Sequence, residues 1–189
     1  MSWNRRQILT VGGAALAGVS AAGVFGRTAR SQESADKPGP RSRRISLANL
    51  HTGEHLDLEF YRDGAYVPDA LSAISVLLRD FRTGERHSID PNLMDYLIKV
   101  AHTLGVDAVF SVISGYRSPQ TNAALRDRSA GVAQHSLHMQ GRAIDVRMAR
   151  VDCADLAAHA QELMLGGVGY YRAADFVHLD TGKFRTWRG

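Results

Sequence analysis

Two short stretches, Arg142–Met148 and Phe176–Asp180, alternate apolar and polar side chains, and this alternation limits what the chain around them can build. A period of two describes a strand buried on one face only. In the first stretch Ile144 and Val146 share one face, while Ala143, Asp145 and Arg147 share the other. In the second, Val177 and Leu179 turn to a core and His178 and Asp180 point together the opposite way. A core on one side therefore turns a carboxylate and an imidazole out on the other. If the two strands are neighbours, Asp145 and His178 meet.

The remaining pattern predicts mixed secondary structure. Ile45–Leu50 and His55–Tyr61 are short runs around Thr52-Gly53-Glu54, a hairpin signature. Asp69–Phe81 and Val151–Leu165 carry apolar residues at helical spacing, and each stops before glycine. Pro91–Leu104 is the clearest helix, with Asp90 and Pro91 at its start and Gly105 at its end. Val106–Ser114 reads as a strand, Pro119–Arg126 as a short helix, and Gly167–Tyr171 as a further strand. The expected fold is a single α+β domain over residues 45–189, with a small antiparallel sheet flanked by helices.

The first 29 residues do not belong to that domain. Paired Arg5 and Arg6 precede an uncharged, Ala/Gly/Val-rich stretch at residues 8–26, the layout of a twin-arginine export signal. Export to the periplasm by the twin-arginine machinery is expected, with an uncleaved inner-membrane anchor as the alternative. Residues 30–44 read as a linker. The net charge of +4 does not signal nucleic acid. Without Arg5, Arg6 and Arg27, 20 basic residues face 19 acidic ones, a balance of +1 with no basic run. The single cysteine, Cys153, rules out an intrachain disulfide and reads as a small buried hydrophobe on a helix.

His138 lies seven residues before Asp145, with Gly141 between them to let the chain turn sharply into the strand. His138, Asp145 and His178 form a three-ligand set of the kind that holds one catalytic zinc and leaves a fourth position open. The expected chemistry is zinc hydrolysis. His51, His55, His87, His102 and His159 lack ligand spacing and read as surface or structural.

The pattern His138-x-x-Gly141-x-Ala143-x-Asp145, with Ser136 before it and His178 after it, resembles the zinc signature of the LAS peptidases. That group includes D-alanyl-D-alanine metallopeptidases and the hedgehog domain. Ser114-Gly-Tyr-Arg117-Ser-Pro-Gln-Thr-Asn122, His135-Ser-Leu-His138 and Phe176-Val-His-Leu-Asp-Thr-Gly182 resemble the YcbK-like (MepK-type) murein endopeptidases within it. The resemblance implies a periplasmic zinc endopeptidase acting on the peptide cross-links of peptidoglycan, with no stable protein partner. Such an enzyme needs a group to handle the proton of the attacking water. Asp180, on the strand face of His178, and Asp175, three residues before it, are the acidic candidates, with His135 a third. Asp180 has an alternative role as a partner that orients His178. In the family context Arg117 becomes a clamp for a substrate carboxylate, supported by Tyr116, Gln120 and Ser136. Tyr170, Tyr171 and Trp187 suit either a groove or rim packing. A D-alanyl-D-alanine carboxypeptidase and a non-catalytic cell-wall peptide-binding module are the competing readings, and the sequence leaves open which cross-link is cut.

Overall fold

A computed structural model describes residues 42–129 and 131–189. The export signal and most of the expected linker lie outside the described residues. Strand β1 (Ser42–Asn49) turns through Gly53 into β2 (His55–Arg62), and two residues of β3 (Ala65–Tyr66) follow. Then come helices α1 (Pro68–Leu77) and α2 (Pro91–Thr103), strand β4 (Val109–Ser114) and α3 (Pro119–Arg126). A 3₁₀ turn at Leu137–Gln140 leads into β5 (Ala143–Met148). The chain closes with α4 (Cys153–Glu162), β6 (Gly167–Tyr171), β7 (Phe176–Asp180) and β8 (Arg185–Arg188).

The α+β class stands, but the small antiparallel sheet does not. The eight strands of the described residues form one mixed sheet in the order β3-β2-β1-β4-β5-β7-β6-β8. β1 runs parallel to β4, and β6 parallel to β8, while the other neighbours are antiparallel. α1 packs near β2, α2 near β1, and α4 across β5, β6 and β7. Ile45, Leu47, Phe60, Ile74, Leu97, Ile144, Val146, Leu156, Val168, Val177 and Leu179 are essentially solvent-free in the core between helices and sheet. Burying one such side chain contributes roughly 1.5–3 kcal/mol, which is what holds the layers together.

Three differences from the sequence expectation have physical causes. β1 starts at Ser42, inside the stretch expected as linker, because its charges find partners. Arg43 pairs with Asp95 at 2.5 Å and lies over the Tyr61 ring, and Arg44 pairs with Asp57. α1 ends at Leu77, short of Phe81, because the chain turns there to receive another segment: the Leu78 carbonyl accepts from the Tyr116 amide at 2.7 Å. β8 lies outside the expectation altogether, since Arg-Thr-Trp-Arg shows no apolar alternation and is recruited through its backbone to β6.

The turn after α1 also carries Asp80, which is 1% exposed. Its carboxylate accepts from the backbone of Arg82 at 3.0 Å and of Ser118 at 2.9 Å, tying this turn to the start of α3. Burial alone would raise its pKa, but bonds from Thr121, Ser118 and the backbone outweigh burial and bring it down to about 2. A carboxyl whose folded pKa is depressed stabilises the fold above its unfolded pKa, and that contribution is lost as pH falls through the folded value. Asp80→Asn is therefore expected to cost ~2 kcal/mol at neutral pH. In urea titrations the gap between variant and wild type should close between about pH 4 and pH 2; a gap that persists there would contradict this account.

Candidate metal centre and peptidase site

The register of β5 and β7 sets Asp145 directly opposite His178. Both side chains leave the sheet on the face away from Ile144 and Val177, as the alternation requires. His138 reaches them from the 3₁₀ turn. Ser136 begins that turn, its hydroxyl accepting from the His138 amide, and Gly141 ends it at φ +64°. A Cβ at position 141 would collide with the Ser88 carbonyl, so glycine is required both for the left-handed backbone and for the close approach.

His138 Nδ1 donates to the Gly115 carbonyl at 2.7 Å, which leaves the Nε2 lone pair free to face the cluster. His178 Nε2 meets Asp180 Oδ2 at 2.9 Å, which turns its Nδ1 the same way. The three inward atoms, His138 Nε2, His178 Nδ1 and Asp145 Oδ1, are then separated by 3.2, 3.2 and 2.9 Å. Tetrahedral ligands about 2.0–2.1 Å from a zinc ion lie about 3.3 Å apart. The donor set fits a metal with adjustments of a few tenths of an ångström. These three residues, one ligand atom from each, form a group able to hold a metal ion.

For His138 and Asp145 the electrostatics agree with that geometry. Burial holds the His138 pKa down, so this imidazole is kept neutral and able to ligate. Burial would raise Asp145, but His138 and His178 hold it well below the usual carboxylate range. Burial lowers His178, and its bonds to Asp145 and Asp180 outweigh this and push it up to about 8.

The cluster opens into a pocket of about 350 Å³ lined by Arg117, His135, Tyr171, Phe176, Arg185 and Trp187, among others. Arg117 is 12% exposed in its side chain, and its Nη2 lies 3.4 Å from Asp145 Oδ2. Its Nε is buried without a hydrogen-bond partner. Trp187 stands 5.1 Å from the His178 ring, centroid to centroid. It can do so because position 169, on the strand between them, is a glycine, and a Cβ there would strike the indole.

The other residues expected at the site divide. Ser136 and His135 line the pocket, the first buried and the second exposed. Tyr116 does not: it is 5% exposed, stacks on His87 and donates to Glu85 at 2.8 Å. Gln120 is exposed on α3 and does not line the pocket. Asp175 also lies outside the pocket, at φ +52°, paired with Arg147 at 3.1 Å. Asp180 has no exposed surface, and it sits behind His178 with both oxygens taken by donors. Neither aspartate stands where a base facing the pocket would. Strand parity places Asp180 on the right face but does not tell the open side of His178 from its back. Arg185 escapes sequence reasoning: a buried Asp needs a cation, yet nothing in the sequence says which of the nearby basic residues supplies it.

The family model described as "Peptidoglycan L,D-endopeptidase MepK", of the M15 peptidases, matches residues 37–187. A probable peptidoglycan L,D-endopeptidase MepK of Haemophilus influenzae is 40% identical over 187 residues, covering 98% of this chain and 96% of that protein. The peptidoglycan L,D-endopeptidases MepK of Escherichia coli K12 and Shigella flexneri are each 39% identical over 184 residues, covering 97% of both chains. No solved structure matches the chain significantly. Fold, donor cluster and similarity together define a metallopeptidase. The chain belongs to the MepK family of M15 peptidases.

Gly141→Ala should expose how tightly the 3₁₀ turn is specified. A left-handed non-glycine backbone costs roughly 1–2 kcal/mol before any clash. The variant should therefore lose at least about 1 kcal/mol in a urea melt, and it should also retain less metal than wild type after dialysis. Full metal content at reduced stability would show that His138 is not held by this turn.

Proposed function

We propose that this chain is a zinc-dependent endopeptidase that hydrolyses L,D peptide cross-links of peptidoglycan. The observation that carries the reading is the convergence of His138 Nε2, Asp145 Oδ1 and His178 Nδ1 at one wall of an open pocket. The relatives' names supply the substrate class, and similarity over nearly the whole of both chains supports carrying it across. Two imidazoles and one carboxylate, with no thiolate, form a set that suits a catalytic zinc. A zinc ion bound by these three residues supplies Lewis acidity to the scissile carbonyl and acidifies water.

The chain's own groups do the rest. Arg117 lines the pocket and offers a planar fork to a carboxylate of the stem peptide. The charge of Arg117 also balances Asp145 beside it. His135, the pocket-lining imidazole outside the cluster, takes the water proton and returns it to the leaving amine. Tyr171, Phe176 and Trp187 give the peptide an apolar wall and exclude water from one side. Asp180 orients His178 rather than acting on substrate.

The same reading includes export to the periplasm through the twin-arginine route, supported by Arg5-Arg6 ahead of the uncharged stretch. Among the described residues no helix is long and apolar enough to cross a membrane. Peptide cross-links are the partner this site is built for, and neither a nucleic acid nor a stable protein partner is part of the reading.

Digesting purified muropeptides with the protein, with and without a chelator and beside His138→Ala, tests this directly. Conversion of cross-linked dimers to monomers at an L,D bond, abolished by the chelator and in the variant, is the expected result. Release of a terminal D-alanine alone would point instead to a carboxypeptidase, and stoichiometric zinc without turnover to a binding module. Arg117→Lys should keep its metal but turn over about 100-fold more slowly, since a point charge replaces a fork and the substrate is held less well. Wild-type rates in that variant would remove Arg117 from the substrate site.

A further inference from the structure

Asp180 is the most completely buried acid near the site, and all of its partners are visible. Oδ2 receives His178 Nε2 at 2.9 Å and Arg185 Nη2 at 2.7 Å. Oδ1 receives the backbone amides of Gly167 at 3.1 Å and Gly182 at 2.8 Å, together with Arg185 Nη1 at 3.1 Å. Only Arg185 bridges both oxygens. The two amides fix one end of the carboxylate, and the bidentate fork stops the other from rotating away from His178.

Arg185 itself is held from two further directions. Its Nη1 also donates to the Lys183 carbonyl at 3.1 Å, and its guanidinium lies 5.0 Å from the centroid of the Trp187 ring. Its side chain is 48% exposed, whereas that of Asp180 is not exposed at all. The cation therefore shields a fully buried anion from the solvent side, an arrangement that is costly to form unless the anion is used.

We propose that Arg185 is a positioning residue of the metal centre, acting through Asp180 to hold His178 with Nδ1 turned into the donor cluster. The proposal rests on the metal reading given above and extends it by one residue on β8. The chain of contacts runs from Arg185 to the Asp180 carboxylate, to His178 Nε2–H, and across the ring to the ligand atom. Partners one shell out from a metal ligand typically change metal affinity 10–100-fold when removed.

The test is a double-mutant cycle on zinc affinity, measured by competition with a chelator, in wild type, Arg185→Ala, Asp180→Asn and the double variant. Asp180→Asn should weaken zinc binding about 10–100-fold and Arg185→Ala less, up to about 10-fold, and Arg185→Lys should recover part of the loss. The double variant should bind no more weakly than Asp180→Asn alone, because both substitutions cut the same path. Independent losses that multiply would overturn the proposal. So would an Arg185→Ala variant with wild-type zinc affinity and only a raised KM, which would make Arg185 a substrate contact. ¹⁵N-detected NMR of the histidine rings in metal-free protein separates this from the functional reading. Zinc failing to bind wild type would sink the metal reading. A His178 Nε2–H signal unchanged in Arg185→Ala would sink the positioning role whatever the zinc result.

Discussion

The site depends on a register. β5 and β7 pair so that Asp145 faces His178, and a one-residue slip of either strand would turn its polar residue into the core and bring its apolar residues out. The hydrophobic face therefore specifies the face that carries the donor cluster. Ile144, Val146, Val177 and Leu179 are solvent-free on the side of the sheet that α4 covers, and their burial, at roughly 1.5–3 kcal/mol each, locks the two polar residues in place on the opposite side. Packing energy on one side of the sheet becomes ligand geometry on the other.

Around that pair the remaining contacts serve orientation. Each histidine has one nitrogen engaged away from the cluster, His138 with the Gly115 carbonyl and His178 with Asp180, so both rings are oriented with the other nitrogen toward the cluster. Asp80 does comparable work at a distance, tying the turn after α1 to the segment that carries Arg117. A site prepared in this way loses little freedom on binding, which favours tight metal capture.

Much of this is legible in the sequence, for reasons that can be named. Alternation identifies β5 and β7 and the face carrying Asp145 and His178, because a period of two is a local property. Gly141 is legible as a turn because its left-handed backbone is also local. Connections between distant segments are not. The parallel pairing of β1 with β4, the recruitment of β8 and the burial of Tyr116 against Glu85 all depend on which segments meet in space. The burial of Asp180 behind His178 is hidden for the same reason: parity gives the face of a strand, not what stands behind a neighbouring ring. Tyr116 and Gln120 are drawn into the site by their nearness to Arg117 in sequence, but a turn sends adjacent side chains in different directions.

Among the described residues the eight-stranded sheet is open, with two borders whose backbone groups another chain's strand could join. Here one border is β3, only two residues long, and the other is β8, four residues that begin and end with arginine. Both are too short, and the second too strongly charged, to template much growth. The strand that supplies Trp187 and Arg185 to the pocket thus has a second consequence: one wall of the pocket also ends the sheet, making self-association through that border unfavourable.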